Sequence, residues 1–122
     1  YTEKRRALFM PGGTIYMYYS RAGDSLNVSA EGEGNAVLIK SAYPYPQDCT
    51  MIARMQANNP SKKLLSLRPV EKLCSGQSLL CRSLNLKVKE WDAKDFDPEK
   101  FYIADHNYRP QAIITATRLG IP

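Results

Sequence analysis

The feature that most constrains the fold is the regular alternation of apolar and polar residues from Leu84 to Lys89. Leu84, Leu86 and Val88 are aliphatic, and the residues between them are Asn or Lys. A β-strand points successive side chains to opposite faces, so this pattern predicts a strand with an aliphatic core face and a polar face in water. Trp91, the single tryptophan, shares the parity of the lysines and is expected on the polar face or at the beginning of a loop.

Similar short segments rich in β-branched and aromatic residues follow one another along the chain at intervals of roughly ten residues. The first three predict a three-stranded antiparallel meander over 14–20, 25–30 and 36–40. Further strands are predicted over 64–67, 101–104 and 111–119. The segment 50–56 is compatible with either a strand or a helical turn. Asp97-Pro98 favours the start of a helix, so at most one short helix is predicted, near 97–101.

This arrangement predicts an all-β protein, an antiparallel β-sandwich of jelly-roll, galectin-like or immunoglobulin-like architecture. The chain has 122 residues and shows no linker or internal repeat. We therefore expect a single β-sandwich domain over 1–122, with residues 1–6 frayed at the N-terminus. The likeness to galectin-like modules is one of architecture and rests on no shared motif.

The composition is typical of a globular protein that is soluble in water. Hydrophobic residues make up 43% and charged residues 24% of the chain, and the apolar runs are short, so no membrane insertion is expected. The net charge is +5, but the basic residues are dispersed among acidic ones. A protein that binds phosphates needs its cations gathered on one face, so nucleic acid is predicted to be an unlikely partner.

The three cysteines are compatible with two cellular locations. In a secreted or cell-surface protein, Cys74 and Cys81 are the natural disulfide pair because they flank a turn-like sequence, and the bridge would stabilise the fold by about 2.5 kcal/mol. A bridge from Cys49 to either of them remains open. Three reduced thiols in a cytoplasmic protein are the alternative. Asn27 begins an Asn-Val-Ser glycosylation sequon, and strand parity places it in water, which favours the secreted location.

The sequence contains no recognisable catalytic, metal-binding or cofactor-binding signature. The single histidine, His106, has Asp105 beside it, but neighbours in a loop usually point apart. Asp92, Asp95 and Asp97 lie close together without the spacing or the glycine of a calcium loop. The cysteines lack the CxxC spacing of zinc sites. We therefore predict that the protein is not an enzyme and has no catalytic residues, no metal and no cofactor.

The candidate binding residues are aromatic side chains with charged neighbours. Tyr43 and Tyr45 belong to a loop stiffened by two prolines, where little entropy is lost on binding. Trp91 shares one predicted strand face with Lys87 and Lys89, and tryptophan is a frequent anchor at protein interfaces. In the alternative, the tyrosine rings cap the core and a β-bulge turns Trp91 inward.

The predicted function is a non-catalytic protein–protein interaction module of a secreted or cell-surface adhesion or receptor-type complex. The expected partner is therefore another protein. One alternative is a carbohydrate-binding, lectin-like domain in which Trp91 stacks on a sugar and the partner is a glycan. Another is an intracellular β-barrel that binds nucleic acid, whose affinity should fall steeply as the salt concentration rises.

Overall fold

The computed structural model describes residues 1–45, 48–63 and 66–120. A short 3₁₀ helix, Glu3–Phe9, leads into a three-stranded antiparallel sheet with the strand order β1–β2–β3. The strands are β1 (Ile15–Ser20), β2 (Gly23–Ser29) and β3 (Ala36–Leu38). In the described residues that follow, the helices are α1 (Cys49–Asn58), α2 (Val70–Leu73), α3 (Gln77–Ser83) and α4 (Val88–Trp91).

The predicted all-β sandwich is wrong, because the described residues after the sheet form helices and irregular segments. The structure is a small α/β fold, whereas the predicted three-stranded meander is confirmed. Short apolar segments are compatible with strands or with buried helix turns, so periodicity alone did not separate the two. The segment 50–56, which was compatible with a strand or a helical turn, is part of α1. Asp48 caps the start of this helix, because its Oδ1 accepts hydrogen bonds from Thr50 N (2.7 Å) and Met51 N (3.2 Å). That residues 1–122 form one domain stays a prediction.

One face of the sheet forms the hydrophobic core with the helices. On this face Ile15 lies opposite Val28, and Met17 lies opposite Leu26. The buried members of the core cluster are Ile15, Met17, Leu26, Met55, Leu73, Cys74, Leu80, Cys81 and Leu86. The other face of the sheet is therefore left for contacts outside this core.

The outer edge of β1 is covered by the segment that leaves α4. Ile15 N donates a hydrogen bond to Lys94 O (2.9 Å), and Ala93 N donates to Ile15 O (2.8 Å). Two residues along the strand, Met17 N donates to the carboxylate oxygen Oδ1 of Asp92 (2.9 Å). This segment occupies the position of a fourth strand and satisfies backbone groups that an open edge would expose.

The alternating stretch that predicted a core strand forms the end of α3 and the start of α4 instead. Asn85 has a φ of 54°, and its N–H donates to Arg82 O (3.2 Å), while Leu86 N donates to Cys81 O (2.8 Å). These two bonds form a Schellman motif, in which a left-handed residue ends the helix. Leu86, 4% exposed, turns back into the core, whereas Leu84 is 46% exposed. The strand prediction is wrong because the three aliphatic residues do not share one face.

The N-terminal residues predicted to be frayed include the first part of the 3₁₀ helix. Ala7 of this helix is fully buried, and the rings of Tyr1 and Phe9 pack edge to face with centroids 5.3 Å apart. That residues 1–6 are frayed stays a prediction, since all six are exposed and the buried residue of the helix is Ala7.

The predicted strands toward the C-terminus are not found in the described residues. Around 97–101 the chain makes a hydrogen-bonded turn, with Phe101 N donating to Asp97 O (2.8 Å), and residues 102–120 are exposed and irregular. The predicted strand over 64–67 includes Leu64 and Leu65, which lie outside the described residues. Among the helices that the structure describes, none has the length and apolar character required to cross a membrane.

Candidate functional site

The face of the sheet that points away from the hydrophobic core carries two tyrosines and a lysine. The opposed pairs on this face are Tyr16 with Asn27 and Tyr18 with Ser25. The pairing of β2 with β3 continues for one residue past the end of β3, which places Lys40 opposite Ser25. Since side chains alternate along a strand, these five residues share one face, and we refer to them as the tyrosine face.

The two tyrosine rings lie side by side on β1. The centroids of Tyr16 and Tyr18 are 5.6 Å apart, with an angle of 38° between the rings, and both residues are half-buried. Ser25 is fully buried beside them. The Asn27 side chain donates a hydrogen bond from Nδ2 to Tyr16 O (3.3 Å), which holds the amide against β1. The result is a partly exposed aromatic surface on the sheet.

A single amide connects Lys40 to the centre of the sheet. Gln77, the first residue of α3, accepts a hydrogen bond at Oε1 from Lys40 Nζ (3.1 Å). The same amide donates from Nε2 to Ser25 Oγ (2.8 Å). Lys40 is therefore held at the rim of the tyrosine face by a residue 37 positions away in the sequence.

A second cation influences the tyrosine face from the N-terminal 3₁₀ helix. Burial raises the pKa of Tyr16, the Arg5 guanidinium acts in the opposite direction, and Tyr18 and the Asp92 carboxylate add to the rise. Arg5 therefore lies close enough to act on the phenol electrostatically. With its pKa above the usual value of about 10, the Tyr16 phenol is uncharged at neutral pH.

Trp91 is the last residue of α4 and does not lie on a strand. It is half-buried, and its ring packs edge to face against Phe101 with centroids 5.3 Å apart. Lys87 immediately precedes α4 and Lys89 is within it; both are exposed. The prediction of a shared strand face is therefore wrong, although a binding role for these residues stays a prediction. A shallow cavity of about 430 Å³ beside Trp91 is lined by Glu90, Trp91, Lys94, Asp95, Asp97 and Lys100.

Tyr43 and Tyr45 are exposed in the loop before α1. The following residue of that loop, Pro46, lies outside the described residues. Their role in binding stays a prediction. His106 lies in the exposed segment after 101. Among the residues that the structure describes, no group of three or more His, Cys, Asp or Glu side chains is arranged to hold a metal ion.

Asn27 is not in water as strand parity predicted. It is 6% exposed, because the face assumed to be solvent-exposed carries the tyrosine rings. A glycan needs a free side-chain nitrogen, whereas Nδ2 of Asn27 is bonded to Tyr16 O. The buried position does not favour glycosylation of Asn27, which stays a prediction.

The predicted disulfide between Cys74 and Cys81 is not formed in the structure. All three cysteines are free thiols, with Cys74 and Cys81 buried in the core and Cys49 exposed at the start of α1. Burial raises the pKa of Cys74, which a hydrogen bond with Ser83 partly offsets. Burial raises the pKa of Cys81 to about 11, with the Asp24 carboxylate adding to the rise.

Cys49 is expected to be the one thiol that reacts rapidly with a water-soluble disulfide reagent in the folded protein at pH 8. The thiolate is the reactive form, and Cys74 and Cys81 are both buried and protonated at that pH. Colorimetric titration should count one thiol in native buffer and three in denaturant. Rapid reaction of all three in native buffer would contradict the burial.

The buried thiol of Cys81 makes the stability of the fold depend on pH in the alkaline range. The pKa of Cys81 is about 11 in the folded protein. An unfolded thiol has a pKa of about 8.5, so the unfolded chain releases this proton first. The contribution of Cys81 to stability is therefore complete below pH 8.5 or so and is lost as the pH rises toward the folded pKa. Urea titrations of the wild type and of Cys81→Ala across this pH range measure the difference.

Sequence comparison extends the structural findings. The family profile described as "Methylpurine-DNA glycosylase (MPG)" matches residues 1–122. A protein named "Putative 3-methyladenine DNA glycosylase" from Pseudomonas savastanoi pv. phaseolicola is 58% identical over 100% of this chain and 56% of its own length. One of the same name from Pseudomonas aeruginosa strain LESB58 is 54% identical over 100% of this chain and 52% of its own. The "DNA-3-methyladenine glycosylase" of Mus musculus is 32% identical over 98% of this chain and 37% of its own.

These similarities correct the functional predictions. The relatives are named as enzymes that act on DNA, so the prediction of a non-catalytic adhesion or receptor-type module is wrong, as are the lectin-like alternative and the secreted or cell-surface location. The expectation that nucleic acid is an unlikely partner is wrong as well. The alternative of a protein that binds nucleic acid agrees better with these names, but the β-barrel predicted for it does not agree with the fold. The chain spans about half the length of the Pseudomonas relatives that it matches.

Sequence reasoning missed the tyrosine face for a specific reason. The segment 14–20 was recognised as a strand, and its parity alone puts Tyr16 and Tyr18 on one face, so that signal was present. Lys40 and Arg5 carried no comparable signal, because charges that are dispersed along the chain can still meet on one surface.

Proposed function

We propose that this chain, which belongs to the methylpurine-DNA glycosylase family, provides a base-binding and DNA-binding surface for the removal of methylated purines from DNA. The observation that carries the proposal is the pair of tyrosine rings on one face of the sheet, with Lys40 at its rim. An aromatic surface bordered by cations suits a flat base attached to a phosphate backbone.

The tyrosine rings are suited to bind a base that has left the double helix. An enzyme that acts on a base must take it out of the stack, because the reacting atoms are inaccessible inside the duplex. Stacking on an aromatic side chain contributes about 1–3 kcal/mol per base. Tyr16 and Tyr18, which are half-buried and 5.6 Å apart, offer such a surface.

Uncharged tyrosine rings also favour a methylated purine over an ordinary one. Methylation at N3 of adenine leaves a positive charge on the purine, and the electron-rich face of a phenol attracts a cation by about 0.5–2 kcal/mol. The raised pKa of Tyr16 keeps its phenol protonated, so the ring remains neutral at neutral pH. The attraction depends on the charge of the base, which undamaged adenine lacks.

The reaction itself uses the charge of the bound base. The oxygen of a water molecule forms a bond to C1′ of the sugar, and the bond between C1′ and the purine nitrogen breaks. The purine leaves with the electron pair of that bond and becomes neutral, while the water loses a proton to solvent. A surface that selects the cationic purine therefore selects the better leaving group.

Lys40 and Arg5 are suited to bind the phosphates that flank the extruded nucleotide. Neither belongs to an ion pair that the structure describes, and Lys40 is bonded to the neutral amide of Gln77. Each phosphate contact releases counterions and makes the affinity fall with salt.

Lys40→Gln is expected to weaken binding of the 122-residue chain to duplex DNA and to reduce the salt dependence. The slope of log K against log salt should become shallower by about 0.9, the value for one phosphate contact. Fluorescence anisotropy with a labelled duplex measures both quantities. Lys62→Gln, an exposed lysine beyond α1, is the matched control and should change little.

Chromatography of the bases released from methylated duplex DNA tests the reaction. The chain is expected to release 3-methyladenine and to leave undamaged adenine in place. If the folded protein neither binds DNA nor releases a methylated base, the proposed function is wrong.

A further inference from the structure

We propose that Gln77 is a positioning residue that holds the Lys40 ammonium at the rim of the tyrosine face for contact with a DNA phosphate. The inference rests on the proposed function and adds a residue to it. Gln77 lies on α3, outside the sheet, and enters the site only through its side-chain amide.

Both ends of this amide are hydrogen-bonded. Its Nε2 donates to Ser25 Oγ at 2.8 Å, and Ser25 is fully buried in the central strand β2. Its Oε1 accepts from Lys40 Nζ at 3.1 Å. The reversed amide would point Nε2 at the ammonium and bring two donors together, so the lysine selects this orientation, and the Ser25 hydroxyl, which can donate or accept, is compatible with it.

A neutral amide can hold a lysine without cancelling its charge. The ammonium has three donors, and the bond to Gln77 uses one of them, so the others are available to phosphate oxygens. A carboxylate at this position would attract Lys40 more strongly but would also repel the phosphates. The amide therefore fits a lysine whose charge is used for an outside ligand.

Holding the lysine in place should increase affinity because less motion is lost on binding. Lysine has a long, flexible side chain, and immobilising such a side chain on binding costs about 0.5–1.5 kcal/mol. If Gln77 restricts Lys40 beforehand, removing the amide should weaken DNA binding by the corresponding factor, about 2- to 12-fold. The factor should vanish when Lys40 is absent.

A double-mutant cycle separates this role from a structural one. The proteins compared are the wild type, Gln77→Met, Lys40→Gln and the double variant, and methionine is chosen because it keeps the length of glutamine without either hydrogen bond. Dissociation constants are measured by anisotropy with a labelled duplex that carries a tetrahydrofuran abasic-site analogue, at several salt concentrations. Gln77→Met should weaken binding 2- to 12-fold in the wild type, by the estimate above, and leave Lys40→Gln unchanged.

Two further variants sharpen the result. Ser25→Ala releases the other end of the amide and should reproduce part of the loss, again only when Lys40 is present. Gln111→Met replaces an exposed glutamine in the irregular C-terminal segment and should leave affinity unchanged. Thermal unfolding of every variant establishes that the proteins compared are folded.

The outcomes are distinguishable. An equal loss in both backgrounds would mean that Gln77 supports the packing of α3 on the sheet, and it would overturn the positioning role. Unchanged affinity on replacing Gln77, together with a loss on replacing Lys40, would also overturn it while leaving the proposed function intact. A folded wild type that shows no salt-dependent DNA binding would overturn both.

Discussion

Replacing Asn59 by alanine is expected to lower the free energy of unfolding by about 2 kcal/mol, because it removes two buried hydrogen bonds that join neighbouring helices. Asn59 is fully buried at the end of α1. Its Nδ2 donates to Leu73 O (3.1 Å) in α2 and to Ser83 Oγ (3.0 Å) in α3. One side chain thus joins three helices, and the packing of the core face of the sheet depends on their arrangement.

Urea denaturation of the wild type and of Asn59→Ala measures this effect as a lower midpoint at unchanged slope. Asn58→Ala is the matched control, because Asn58 is adjacent and exposed and makes one hydrogen bond, from Nδ2 to Ser83 O (3.1 Å). It should cost about 1 kcal/mol or less. Similar losses for the two variants would show that the buried amide does not join the helices as described.

Tyr18→Ala is expected to lower the rate of 3-methyladenine release by about 5- to 150-fold, the equivalent of losing 1–3 kcal/mol of base stacking. Tyr18→Phe keeps the ring and should retain most of the activity. The quantity to measure is kcat/KM on methylated duplex DNA, together with the affinity for undamaged duplex. Because stacking requires an extruded base, the loss should be larger for the methylated substrate.

Comparing the two substrates distinguishes a loss of base stacking from a loss of folded protein. Partial unfolding would lower the apparent activity and the affinity for undamaged duplex by the same factor. Tyr108→Ala, which removes an exposed tyrosine from the irregular C-terminal segment, is the matched control. An equal loss on methylated and undamaged DNA would show that Tyr18 does not serve as the surface for the base.

The sheet was predictable because its signals are local. The segments 14–20, 25–30 and 36–40 combine β-branched or aromatic residues with glycine-containing turns, and their antiparallel pairing follows from the short connections. The same local rules also indicate where two of the helices begin or end. Asp48 is a helix-capping residue before 49–58, and Asn85 is suited to the left-handed end of α3.

The β-sandwich prediction is wrong in segments whose local sequence pattern is compatible with more than one structure. Leu84, Leu86 and Val88 alternate with polar residues, but the Schellman motif at Asn85 buries Leu86 and exposes Leu84. Residues 111–119 have strand-forming composition and yet remain exposed and unpaired within the described part of the chain. β-Propensity describes how a side chain suits a packed sheet, and it does not supply the neighbouring strand.

By itself the sequence determined the three strands, their turns and the placement of Tyr16 and Tyr18 on one side of β1. These features depend on residues that are close together in the chain. Only the tertiary structure decided that Lys40, Ser25 and Gln77 form one network, since the bonds join residues 37 and 52 positions apart. The physical reason is that packing of α3 against the sheet sets those distances, and packing depends on the whole core rather than on any local pattern.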